Sequence, residues 1–265
     1  MNVFKSIESC LDAQRASVTI SESAPVFVPG TKDEAFLLVH GWSASPESVR
    51  FLTKHLADAE FGVLVPVLPG HGTDALDQVR FGPVDWFNAA REALELLCEK
   101  YSKVHVLGVS MGGSIALQLA ALETERVTST ITVNAPVAFD DPGFAEAVLS
   151  GPADAPLPGW SAPMFMGDAV PEISYQDRRR KSAADLLSVC TLARELLPRI
   201  EVPLLVLQSK SDTIVSPKNA DIIYANASSK RKEIGWLTHS FHCAQLDIDR
   251  SRIAELALEF ASCCE

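Results

Sequence analysis

An α/β fold built on a mostly parallel sheet is what this sequence predicts, and three observations carry that reading. Short apolar runs rich in β-formers recur along the chain, at 36–39, 63–67, 104–107, 129–133, 203–207 and 233–237. These runs are nearly continuous in apolar character, as befits parallel strands buried on both faces. Between them lie segments with helical spacing, and strand followed by helix in repetition implies this class. With 265 residues, 47% of them hydrophobic, the chain can also bury a sizeable core.

In chain order, the first run leads to Ser45 and Pro46, which read as the N-cap and first position of a helix carrying Val49, Leu52 and Leu56 on one side. Trp86, Ala90, Leu94, Leu97 and Tyr101 form a second helical stripe. The segment 114–122 is helical after the third run. Ile253, Leu256, Ala257 and Phe260 form the closing helix at i, i+3, i+4, i+7 spacing. The alternation breaks over residues 137–196. There Asp140, Asp141, Pro142, Gly151, Pro152, Pro156, Pro158 and Gly159 precede a helix-like stretch at 183–197. About sixty residues of structureless loop would be out of place in a compact domain. The expected organisation is therefore a core at 1–136, a partly helical cap insertion at 137–196, and the rest of the core at 197–265.

The net charge of −11 argues against a nucleic-acid partner, because neutralising phosphates needs an excess of Lys and Arg. The one basic run, Arg178, Arg179, Arg180 and Lys181, reads as a solvated helix face. The six cysteines lack metal-ligand or C-x-x-C spacing and read as reduced thiols. No apolar stretch approaches the ~18 residues of a membrane helix, and the N-terminus mixes Lys5, Glu8, Asp12 and Arg15 rather than an apolar signal core. A cytoplasmic location is the corresponding expectation.

The chemistry-bearing residues begin with Gly108-Val109-Ser110-Met111-Gly112, set between a strand and a helix. A nucleophile elbow needs this context: the turn is so tight that Gly108 and Gly112 must be small, and Ser110 is thrown up at the sheet's C-terminal edge. The following helix points its N-terminus at the same spot, which favours developing negative charge. His40-Gly41-Trp42 ends the first run. The main-chain N–H groups of Trp42 and Met111 are the expected oxyanion donors. His40 reads as structural, since a second base is not needed. Asp212, shortly after the fifth run, can orient and stabilise an imidazolium. His239 and His242 both follow the last run, and His242 is favoured because it sits deeper in the loop, with Asp247 or Asp249 beyond it as N-caps of the closing helix. His71, His55 and His105 read as structural or surface residues, and Cys243 as a small apolar neighbour of His242.

Together these residues resemble the α/β-hydrolase family, and within it the small bacterial carboxylesterases and monoacylglycerol lipases with a compact cap. The likeness includes Leu68-Pro69-Gly70-His71-Gly72-Thr73, residues 81–86, Asn134-Ala135-Pro136 and Leu246-Asp247, and it departs at Phe241 and over residues 1–30. It implies a serine hydrolase acting on small-molecule esters of short to medium acyl length, with monoacylglycerols included. Trp160, Met164, Phe165 and Met166 would supply apolar cap walls. The implied mechanism passes through an acyl-enzyme and needs no metal or organic cofactor. Thioesterase, acyltransferase and C–C hydrolase chemistry on the same triad, or a non-catalytic ligand-binding relative, remain the alternatives.

Overall fold

The structure is a computed structural model and describes residues 6–139, 141–157, 162–168 and 172–264. Asp140, Pro158, Gly159 and Trp160, read above as parts of the cap, lie outside the described residues.

Alternation at single-residue resolution explains the continuous apolar runs. In strand β2 (Glu34–Val39), Ala35, Leu37 and Val39 enter one hydrophobic cluster while Phe36 and Leu38 enter another on the opposite face. Strand β4 (Lys103–Val109) divides Val104 and Val106 from Leu107 and Val109 in the same way. Both faces are therefore core, and no polar alternation is left to read. With β1 (Val26–Val28), β3 (Gly62–Val65), β5 (Ser129–Val133), β6 (Leu204–Ser209) and β7 (Lys232–Leu237), they form a seven-stranded sheet in the order β1-β3-β2-β4-β5-β6-β7. Every pairing is parallel except the edge strand β1 on β3, so the predicted class is the observed one.

The helices described are α1 (Ile7–Ser17), α2 (Arg50–Asp58), α3 (Pro83–Cys98), α4 (Met111–Leu122), α5 (Pro142–Leu149), α6 (Arg180–Leu196), α7 (Lys218–Asn226) and α8 (Arg250–Ser262). Residues of α1, α3 and α4 share the cluster on one face, and residues of α2 and α8 the other. The stripe on α3 is buried as expected at Trp86, Ala90, Leu94 and Leu97. On α8, Ile253, Ala257 and Phe260 are buried. Within 137–196, Leu186, Val189 and Cys190 of α6 pack in the first of these clusters, so this helix is rooted in the core. Upstream, Pro156 pairs with Arg179 in an isolated bridge.

Three local readings are corrected. Ser45 opens a 3₁₀ turn (Pro46–Val49) without a side-chain capping bond, and α2 starts only at Arg50. The basic run is not a solvated helix face. Arg179 stands at the N-cap of α6, and Arg178, outside the helix, is stacked 5.6 Å from the Trp42 ring. Neither acidic residue beyond His242 caps α8 with its side chain. Asp249 holds the N-cap position, but its carboxylate accepts the His239 N–H at 2.8 Å. Asp247 accepts four backbone N–H groups, from Met166 (2.7 Å), Gly167 (2.9 Å), Phe241 (3.1 Å) and Ile248 (2.9 Å). Among the described residues, no helix is long and apolar enough to cross a membrane.

Candidate active site

Parallel strands end together, and the three side chains singled out in the sequence leave the same edge of the sheet after β4, β6 and β7. Ser110 connects β4 to α4 with φ 52° and ψ −123°, a conformation that few non-glycine residues adopt. The turn admits no bulk at its flanks. A Cβ on Gly108 would strike the Gly112 carbonyl, and one on Gly112 would strike the Val39 carbonyl. The Ser110 N–H is held by the Val133 carbonyl at 2.8 Å.

The Oγ of Ser110 lies 3.1 Å from Nε2 of His242. Nδ1 of His242 lies 2.9 Å from Oδ2 and 3.1 Å from Oδ1 of Asp212. The carboxylate is itself fixed by the N–H groups of Ile214 and Val215, each at 2.9 Å. Asp212 has no exposed side-chain surface and His242 has 8%, whereas His239 is 68% exposed and turns towards Asp249 at 3.5 Å. The structure thus brings His242 rather than His239 to Ser110.

Burial pulls the His242 pKa down. The charge and hydrogen bond of Asp212, helped by the charge of Glu172, outweigh it and hold the imidazole above its ordinary value. The other two histidines near the site differ. His40 donates through Nδ1 to the Gly41 carbonyl and accepts the Leu68 N–H, and burial pushes it down to about 4. His71 falls to about 3, through burial and the proximity of His40. Both are neutral fixtures, as expected from the sequence.

Gly41 approaches so closely that a Cβ there would sit 3.4 Å from that of Ser110, which brings the Trp42 backbone beside the elbow. Met111 is the first residue of α4, where an N–H has no intrahelical acceptor. The indole N–H of Trp42 donates to Ser182 Oγ on α6 at 2.6 Å, Ser182 donates to Gln78, and Gln78 meets His71. This chain fixes the ring.

Two small cavities meet at Ser110 and His242. One, of about 50 Å³, has the polar residues Ser48, Glu172, Ser174, Arg178 and Gln245 in its wall. The other, of about 40 Å³, is lined by Pro136, Phe139, Leu186, Ile214 and Val215, and shares Trp42, Met164 and Arg178 with the first. A roomier hollow of about 430 Å³ lies beside α1 and contains none of the three side chains. Glu172 is not singled out in the sequence, where Arg178 reads only as part of a solvated face. Burial raises the Glu172 carboxyl and lowers the Arg178 guanidinium, and the charge of each counteracts the shift of the other. Cys243 is more than an apolar neighbour, since its thiol donates to Glu172 at 3.7 Å. Burial and that carboxylate push the thiol well above its ordinary range, so it carries little thiolate. No group of three or more His, Cys, Asp or Glu side chains among the described residues is arranged to hold a metal ion.

A serine at a strand-to-helix elbow, in line with a histidine and a carboxylate on one sheet edge, defines a hydrolase-type site on an α/β scaffold. The chain belongs to the alpha/beta hydrolase family, whose model matches residues 36–244. It is 35% identical over 226 residues to a thermostable monoacylglycerol lipase of Bacillus sp. (strain H-257), covering 84% of this chain and 88% of the relative. It is 26% identical over 231 residues to a carboxylesterase of Bacillus subtilis (strain 168), covering 86% and 92%. A solved structure of the metagenome-derived lipolytic enzymes LipS and LipT superposes with a TM-score of 0.86 at 31% identity, covering 92% of this chain and 98% of that one.

Proposed function

We propose that this protein is a serine hydrolase that cleaves carboxylic esters of short to medium acyl length, monoacylglycerols among them. The observation that carries the reading is the unbroken chain from Ser110 Oγ through His242 to Asp212, at 3.1 Å and 2.9 Å, on a strained elbow. His242 takes the Ser110 proton as Oγ attacks the ester carbonyl, and Asp212 steadies the imidazolium. The N–H groups of Trp42 and Met111 receive the negative charge that develops on the carbonyl oxygen. His242 then protonates the departing alcohol, and water, deprotonated by the same base, releases the acid from the acyl-enzyme.

The two cavities support a division of labour. The cavity with Phe139, Leu186, Ile214 and Val215 suits an acyl chain, the one that adds Glu172 and Gln245 suits a hydroxylated alcohol, and Arg178 borders both. Both fall far below the ~300 Å³ of ordinary small-molecule sites. Residues 137–196 therefore act as a cap that must yield for substrate to enter, with α6 as its root. The resemblance to the Bacillus monoacylglycerol lipase and carboxylesterase supports the same substrate class.

A fluorophosphonate probe with peptide mapping tests the nucleophile, and p-nitrophenyl esters and monoacylglycerols of graded length test the substrate. Label on Ser110 and a rate maximum at short to medium chains are expected. Label on another serine, or strong activation by a triacylglycerol emulsion, would overturn the reading.

A further inference from the structure

The geometry points to Asn134 as a positioning residue that sets the distance between Ser110 and His242. This inference rests on the proposed catalytic roles of those two residues.

Asn134 follows β5 directly, is fully buried, and has φ 51°, a left-handed conformation that asparagine tolerates better than most side chains. Its amide orientation is dictated by its partners. The Ser209 N–H at 2.7 Å requires an acceptor, so Oδ1 faces it. Nδ2 then faces three oxygens: the His242 carbonyl at 2.8 Å, Ser209 Oγ at 3.1 Å and the Phe241 carbonyl at 3.3 Å. Ser209 Oγ donates in turn to the Phe241 carbonyl at 2.9 Å. The backbone N–H of Asn134 is bound to the Leu207 carbonyl at 2.9 Å. One side chain thereby ties the ends of β5 and β6 to the backbone of the histidine itself.

The residue before it does the corresponding job for the serine. The Val133 carbonyl accepts the Ser110 N–H at 2.8 Å. Two consecutive residues at the end of one strand thus hold the nucleophile on one side and the base on the other. The loop after β7 carries His242 without a strand or helix of its own at that position, and depends on such anchors. A loop shift of about 1 Å is enough to spoil proton transfer between oxygen and imidazole. Asn134 touches neither substrate nor the exchanged proton, so it acts through His242.

The test uses Asn134→Asp and Asn134→Gly, with Ser209→Ala as a milder third variant and His242→Ala as the control. Asp keeps the size and the acceptor for the Ser209 N–H but opposes the two carbonyls. Gly accommodates the backbone angle and removes the side chain. In folded Asn134 variants kcat falls about 10- to 100-fold while KM stays within about threefold, as expected when an interaction serves only the transition state. The fluorophosphonate labelling rate of Ser110 falls in parallel. A far-downfield proton resonance of the His242–Asp212 hydrogen bond is expected in the wild type, and it broadens or disappears in these variants. A structural role alone would lower the melting temperature and leave that resonance and kcat in place. Wild-type kcat in either folded Asn134 variant, or an unchanged resonance beside a reduced kcat, overturns the inference. If both Asn134 variants fail to fold, Ser209→Ala decides: a three- to tenfold loss of kcat with a perturbed resonance supports it, and no loss refutes it. Full activity of His242→Ala would instead sink the catalytic reading beneath it.

Discussion

Replacing Asp247 with Asn is a near-isosteric change with a large expected cost. Oδ2 accepts the N–H groups of Met166 and Phe241, and Oδ1 those of Gly167 and Ile248. An amide in either orientation presents its NH₂ to two of these donors, so two charge-assisted bonds become donor–donor contacts. At about 1.5–3 kcal/mol for a hydrogen bond to a charged group, the loss is about 3–6 kcal/mol. Relaxation of the segment around Met166 and entry of water reduce this to about 2–4 kcal/mol, a sizeable share of the 5–15 kcal/mol typical of a folded domain. At roughly 2–4 °C per kcal/mol for a chain of this size, melting falls by about 4–16 °C. Urea titration of wild type and Asp247→Asn, with the slope compared to verify a like transition, measures the difference. Because the bonded segments are the one around Met166 and the histidine loop, limited proteolysis should also cut earlier around Met166 in the variant. A stability change below about 1 kcal/mol would refute the account of Asp247 as the tie between them.

Ester hydrolysis should vanish in His242→Ala and survive in His239→Ala, and the opposite result would place the base on the exposed residue. Asp212→Asn should fold normally and lose kcat by orders of magnitude, on the order of 10⁴ in a triad of this type, and near-full activity would mean that another carboxylate holds the imidazole. In the proposed mechanism the neutral imidazole is the base, so kcat/KM should rise with pH through an inflection above about 6.5, the ordinary histidine value, because Asp212 and Glu172 together overcome burial. An inflection below that value would contradict the raised pKa. The stability linked to this proton runs the other way: it is fully present below about pH 6.5, where both folded and unfolded histidine are charged, and is lost as pH rises through the folded pKa. Denaturant titrations across that window, wild type against His242→Ala, check the sign.

What could be read from the sequence follows the range of the interactions involved. The elbow was legible because strand, small residues, serine and helix are contiguous, and Asp212 and His242 because each follows a recognisable strand. The three-residue edge strand β1 was not, since so short a run has no periodicity to count, and neither was helix α1, whose buried side is confined to Ile7, Cys10 and Leu11 in its first half. Arg178 was misread because neighbouring cations suggest a solvated face, and nothing local reports that Trp42 and Glu172 converge on it. Asp247 was assigned to the nearest helix, whereas two of its partners lie about eighty residues earlier. The anchoring bonds of Asn134 reach 75 and 108 residues onward, a separation that pattern reading does not span.

The backbone at Ser110 has a consequence for anyone selecting for heat resistance. A non-glycine residue at φ 52° stores about 1–3 kcal/mol that the surrounding bonds must withstand. Glycine at this position relieves the distortion and removes the hydroxyl in one step. With Ser110 as the proposed nucleophile, a screen that rewards only survival at high temperature therefore favours clones that have surrendered turnover, and the gain will look like an improvement until substrate is added. Durable variants of this protein have to be sought with catalysis and thermal tolerance scored on the same clone.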